Sequence, residues 1–419
     1  DHGGDGTSTS RSVYYGIPLA LLQRVCGIWA VAVAQVLLTV GVLLAGLRWF
    51  SGQATYWRDA TAIAVAGMLG GLAIFTDTLM PDLFAGLMIF GIAVFLGFYG
   101  RMSIRERFAW LALITFCVLV HKGHSAVLFA ITVLAGPVAL LSRRFEWRAF
   151  LGLAFAMAVA WLGHTAVGLM VTRVTGQSPV PTPFLLSRVV GDGTALPYLN
   201  EACRDTPYLL CRYRNRFPMT ENEFLWSKIP GVGVVAHLGQ TDRRRLAAEG
   251  NTIVFGAVLY DPLRQMGITL ANMARQNVTI GVTRFGMLGG LEPERDPEMT
   301  QALTQYRRSA VFQGRMPLRE ISWLMTAVYG LAVAGLIGLT ARRPKVFFER
   351  DDGAAALQMI IAGVLINACV FGAISSTADR YQGRVAWLIP LMMIVLVWPR
   401  ATPSRAAQWP VRDEGKRDD

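Results

Sequence analysis

The sequence predicts an all-α integral membrane protein, and three observations carry that expectation. Of 419 residues, 53% are hydrophobic and 16% charged, with a mean hydropathy of +0.41, whereas soluble domains carry about 25% charged residues. Nine apolar runs approach or exceed membrane length. The basic residues are unevenly divided between the connections. Together these exclude an ordinary soluble enzyme, a disordered chain, a collagen and a small disulfide scaffold.

The runs cover residues 19–47, 60–75, 83–98, 108–120, 125–141, 149–171, 321–340, 354–374 and 385–398. A spanning helix needs about 20 apolar residues, with a lower limit near 17. The runs at 19–47, 149–171, 321–340 and 354–374 meet that requirement. The other five must borrow flanking residues, or form broken or re-entrant helices. Gly70-Gly71, Pro137 and Pro390 within the runs are tolerated in membrane helices.

Alternating the connections sorts the charge. One set (48–59, 99–107, 142–148, 341–352 and the tail from 399) carries 17 of the 40 Lys and Arg. The short connections of the other set carry only Lys122, Arg380 and Arg384. Positive charge marks the cytoplasmic side. Residues 1–171 are therefore N-terminal membrane helices with short outer loops, and 172–320 an extracytoplasmic segment between spans six and seven. Residues 321–398 form the C-terminal membrane helices and 399–419 a cytoplasmic tail. About nine transmembrane or re-entrant helices with an outer start imply a further helix ahead of Asp1, and ten or more in a full chain. The expected location is a bacterial inner membrane.

The outer segment holds Cys203 and Cys211 with seven residues between them. They either close a disulfide, which persists only in an oxidising compartment, or stand as two thiols. Within the segment, Pro179, Pro181 and Pro183 predict an extended exit from the membrane, and 184–190 a short helix before Gly191-Asp192-Gly193. Thr220 to Glu223 reads as a capped helix start. Residues 266–282 are amphipathic, with Arg275 and Gln276 opposite Leu270, Met273 and Val278. Such a stretch suits a helix on the membrane surface or over a cleft; a soluble cap with its own core is the alternative.

Chemistry is expected in the short outer connections. They hold Asp1 and Asp5; Asp77 and Asp82; His121, Lys122 and His124; and Asp379, Arg380 and Arg384. Ionisable groups near membrane depth are costly and usually functional. Each also has a plainer role: Asp82 as a cap for the helix from Leu83, His124 with Ser125 as another cap, Lys122 snorkelling to headgroups. Arg380 and Arg384 can hold lipid phosphate without catalysis, and His164 reads as a satisfied core histidine. His121 and His124, three apart, permit a divalent cation if an aspartate is near, and the sequence points to no other cofactor. Jointly, carboxylates supply a base for an acceptor hydroxyl, and the cations neutralise a phosphate leaving group. No Walker loop, dinucleotide turn or HExxH helix is present, and the net charge of +12 serves topology, not nucleic acid.

At these residues the sequence resembles the GT-C glycosyltransferases, multi-spanning enzymes that use polyprenyl-phosphate-linked sugars. The resemblance rests on the acidic Asp1-His2-Gly3-Gly4-Asp5, on Asp77 through Asp82, on His121 to His124, and on Asp379 to Arg384 followed by Trp387 and Pro390. It implies transfer of a sugar to a lipid, glycan or protein acceptor on the outer face. Asp5, Asp1 and Asp77 are then the candidate bases for an inverting displacement. Lys122, His121, His124, Arg380 and Arg384 hold the lipid phosphate. The aspartates of the first segment are four apart, wider than the pair usual in that family, and the soluble segment is not C-terminal. Three rivals remain: an O-antigen polymerase or ligase using Arg212, Arg214 and Arg216; a lipid or solute transporter, disfavoured by sparse mid-span charge; and a non-catalytic subunit of a membrane complex.

Overall fold

The computed structural model describes residues 12–51, 56–141, 146–287, 304–348 and 351–398. Every long element among them is an α-helix. Six helical stretches are long and apolar enough to cross a membrane: Ile28–Phe50, Leu83–Arg101, Trp147–Thr175, Leu318–Arg342, Asp352–Ile374 and Asp379–Val397. The chain is an α-helical membrane protein.

The first apolar run divides. Helix α1 (Val13–Cys26) ends at Gly27, whose φ of 78° suits glycine and turns the chain into α2 (Ile28–Ser51). Tyr15 donates to Gln35 Oε1 at 3.1 Å, which folds α1 back along α2. The second run is a broken helix. α3 (Tyr56–Gly70) and α4 (Leu72–Asp77) are separated by Gly71 at φ 83°, with Met325 packed where a side chain would stand.

At the centre lies α5 (Leu83–Phe98), all sixteen of whose residues are buried. A helix apolar on every side belongs inside a bundle. It packs against α2, α6 (Ile104–Leu119), α16 (Asp352–Ile374) and α17 (Asp379–Ala386). Small residues set these approaches, since lipid gives no hydrophobic drive between helices. Gly86 meets Trp387, Gly97 meets Ala356, and Gly363 meets Ile89, each so close that an added methyl would clash. The remaining helices of the bundle and its connections are α7 (Lys122–Leu141), α8 (Trp147–Thr175), α14 (Leu318–Arg342), the short α15 (Lys345–Phe348) and α18 (Leu388–Val397). α8 and α14 are peripheral: only 17% of the apolar window of each is buried, against 89% for that of α5. Trp161, Leu331 and Ile337 face outward there.

Contacts sort the connections onto two ends of the bundle. At one, Arg48 pairs with Glu106 and Arg101 with Asp352 at 3.6 Å, while Gly100 abuts the Glu146 carboxylate. At the other, Ser12 Oγ donates to Leu119 O at 2.6 Å, and Gln35 Nε2 donates to Thr76 O and Thr78 O at 2.9 and 3.2 Å.

The segment between α8 and α14 contains α9 (Phe184–Gly191), α10 (Ala195–Ala202), α11 (Glu221–Trp226), α12 (Gln240–Tyr260) and α13 (Pro262–Val278). Reciprocal bonds between Thr220 and Glu223 cap α11. α9 to α12 enclose their own core, including Leu186, Leu199, Leu209, Phe224 and Ile253. Cys203 and Cys211 are joined by a disulfide beside it. α13 instead packs on the membrane helix α16.

Candidate functional site

The site lies at the end of the bundle where the 77–82, 121–124 and 375–384 connections meet. Gln35, buried in α2, holds the Thr76 and Thr78 carbonyls and so fixes the first of them. Asp82 stands at the head of α5 but makes no capping bond. Its Oδ1 accepts a 2.6 Å bond from Arg384 Nη1. The capping role expected for Asp82 is therefore incorrect: α17 delivers a guanidinium that binds the carboxylate more strongly than a backbone N–H. Burial alone would raise the Asp82 carboxyl, but Arg384, Arg380 and His121 outweigh it and hold the group below its ordinary range.

Arg384 is entirely buried. Its Nη2 donates to Asn367 Oδ1 at 3.3 Å, and its guanidinium lies 4.2 Å from the Phe371 ring centre and 5.2 Å from that of Tyr381. Asn367 Nδ2 in turn donates to Tyr381 O at 2.7 Å, tying α16 to α17. Arg380 and Arg384 do not lie in an open loop, because the helix begins at Asp379 and places them one turn apart. Arg380 has a different environment from Arg384. Its guanidinium rests 3.9 Å from Met80 Sδ and 5.2 Å from the Tyr381 ring centre, forms no ion pair among the described residues, and leaves Nε buried without a partner.

His121 and His124 stack, with ring centres 4.7 Å apart. The Gly123 N–H donates to His121 Nδ1 at 3.0 Å, so the neutral ring carries its proton on Nε2. His124 Nδ1 lies 2.7 Å from Cys117 O and must donate to it, which leaves Nε2 an acceptor, buried and without a partner. Burial, reinforced by Arg384, pushes His121 down to about 4 despite the opposing Asp82. Gly123 lets the Phe371 ring reach this turn, so the backbone between the histidines and the Arg384 guanidinium share one aromatic neighbour. Lys122 and His124 sit on the first turn of α7, Lys122 exposed. His164 is half-buried and only half satisfied: it bonds the Val118 backbone, and its Nε2 is buried without a partner.

Asp77 is exposed at the end of α4. Asp379 is engaged by Thr283, whose N–H donates at 2.7 Å and whose hydroxyl donates at 2.5 Å. Asp1 and Asp5 lie outside the described residues. Among the described residues no group of three His, Cys, Asp or Glu is placed to hold a metal ion.

Sequence reasoning missed the clasp that joins the outer segment to the bundle. Arg188, buried on α9, pairs with Asp192 and, at 2.5 Å, with Glu221; its Nη1 also donates to Ser375 O at 2.8 Å. Gln265 and Asn272 on α13 donate to the two Asp192 oxygens at 2.9 and 3.0 Å. Gln276 exchanges two 2.9 Å bonds with the Ala378 backbone. The available signal was Asp192 between two glycines, and polar Gln265, Asn272 and Gln276 at helical spacing. Of the rival cations, Arg214 donates to Cys211 O and Arg216 to Gly233 O while stacking on Tyr213.

Comparison with known protein families, with curated proteins and with solved structures finds no match. The fold itself defines an α-helical membrane protein with a helical domain between two of its membrane helices. The cluster at one end of its bundle can hold an anion: among the described residues Arg380 makes no direct ion pair, and His121 Nε2 is a donor.

Proposed function

We propose that the protein is an integral membrane glycosyltransferase that moves a sugar from a polyprenyl-phosphate donor to a lipid, glycan or protein acceptor. The observation that carries this is Arg380, a half-buried cation with no direct ion pair among the described residues, beside an arginine that is paired with Asp82. Asp82 and Asp379 act on the Arg380 guanidinium only through space, so a phosphate monoanion or diester can pair with it directly, and charge-assisted bonds of that kind are strong. Lys122 at the rim and the Nε2–H of His121 extend the same anion-binding surface.

In the reaction, an acceptor oxygen bonds to the anomeric carbon as the carbon–oxygen bond to the phosphate breaks. A carboxylate takes the acceptor proton, and polyprenyl phosphate leaves with its charge held by Arg380. Asp77, Asp1 and Asp5 are the candidates for that base. The reading rests also on nine membrane crossings, with α3–α4, α6 and α7 completing the six longer stretches. It places the site and the disulfide-bearing segment on the extracytoplasmic face of a bacterial inner membrane, with the basic loops inside. Incubating the reconstituted protein with labelled polyprenyl-phosphate sugars tests it. Release of polyprenyl phosphate supports the reading; no turnover of any donor across a broad panel refutes it.

The transporter reading gains one specific observation. Arg384 is a wholly buried charge inside the membrane bundle, which the apolar runs gave no reason to expect. Its carboxylate partner and its aromatic stacking make it a fixed element of the packing, which favours the enzyme.

A further inference from the structure

α13 is amphipathic in the reverse of the sense that a soluble domain requires. Its buried side chains are Gln265, Asn272 and Gln276. Leu263, Met266, Leu270 and Val278 are exposed, Leu263 by 74% and Val278 by 70%. Phe255 and Leu259 on the last two turns of α12 carry the same exposed surface round the corner. The polar face is fully used inward, on Asp192 and on the Ala378 backbone, so the helix cannot turn over without breaking those bonds.

The place of this face in the molecule identifies what covers it. α13 touches α16 at Gly372, where an added methyl would stand 2.8 Å from Asn272 O and Met273 Cα. Gly372 lies within the last turn of the membrane-crossing stretch Asp352–Ile374. Leu365, two turns earlier on the same side of α16, is 47% exposed. The lipid-facing surface of the bundle therefore begins immediately beside α13. Arg264 and Arg275, both exposed, lie along one border of the apolar face, where basic residues of interfacial helices meet lipid phosphates.

We propose that α13 and the end of α12 are seated in the bilayer surface, apolar side into the acyl region, anchoring the outer segment at lipid level beside the site. This rests on geometry alone and stands whether or not the protein transfers sugar. The test uses the full chain in proteoliposomes, with Cys26, Cys117 and Cys369 replaced by serine. Single variants Leu263→Cys, Leu270→Cys, Leu331→Cys and Asp205→Cys carry a bimane label. Positions 263 and 270 are expected to lose fluorescence to nitroxide-bearing lipid as position 331 does, and to resist aqueous iodide, unlike position 205. Quenching of 263 and 270 by iodide to the level of 205 overturns the proposal, as does a covalent dimer through position 270 with no quenching by lipid. The unmodified protein gives a second measurement. A diazirine-bearing phospholipid is expected to label the tryptic peptide from Gln265 to Arg275, and labelling confined to the membrane helices contradicts the proposal.

Discussion

Asp82 and Arg384 are separated by 302 positions in the chain and meet as a buried ion pair of 2.6 Å. The contact fastens the head of the central helix α5 to α17 and holds Arg380, one turn away on α17, against Met80. Thus one interaction positions both the packing of the bundle and the cation of the proposed site.

Removing one partner of this pair leaves a buried charge uncompensated, at a cost of about 3–5 kcal/mol. Asp82→Leu and Arg384→Met are each expected to lower the unfolding temperature in detergent. The double variant Asp82→Leu/Arg384→Met is expected to recover much of the loss. Additive losses in the double variant contradict the pairing.

The folded protein holds His121 at about 4, chiefly through burial, while an unfolded chain returns it to its ordinary value of 6.5. Because the folded value is the lower one, the stability due to neutral His121 is complete above pH 6.5 and is lost as pH falls towards 4. Thermal unfolding in detergent should show that decline, and His121→Gln should reduce it within that window. An unchanged pH profile in the variant contradicts the assignment.

At the clasp, Arg188 pairs with both Asp192 and Glu221. Arg188→Met strands two carboxylates, whereas Asp192→Asn leaves Arg188 paired with Glu221. The first variant should be the more damaging, by about 1–3 kcal/mol for the extra unsatisfied charge. Hydrogen exchange over α9 and α13 measures this, and equal effects would argue against Arg188 as the shared partner.

The membrane class and the grouping of the short connections are legible in the sequence, because both follow from hydropathy and charge, which act locally. The division of the first run at Gly27 was not, and the break at Gly71 was only one of the alternatives open for its short run, since a glycine in an apolar run is equally compatible with an unbroken helix. Asp82 illustrates the limit for the site. An aspartate after proline at a helix start satisfies a local rule, and only the arrival of Arg384 from the far end of the chain overrides it. α13 was legible as amphipathic but not in its sense, because Asp192 and Ala378, which draw its polar face inward, come from distant segments.

The base is sought by substituting Asp1, Asp5 and Asp77 singly with asparagine. General-base catalysis contributes about 10²- to 10⁴-fold. One of the three variants should lower kcat on that scale while donor affinity stays unchanged. Small, equal losses in all three would exclude an aspartate base from this set.

Arg380 tests the central claim most directly. Equilibrium binding of a labelled polyprenyl-phosphate sugar to proteoliposomes should be saturable with the unmodified protein. It should weaken about tenfold to a hundredfold in Arg380→Gln, the scale of one hydrogen-bonded charge, and recover partly in Arg380→Lys, with the unfolding temperature little changed. Equal affinity in all three proteins, or no saturable binding to the unmodified one, would contradict the account.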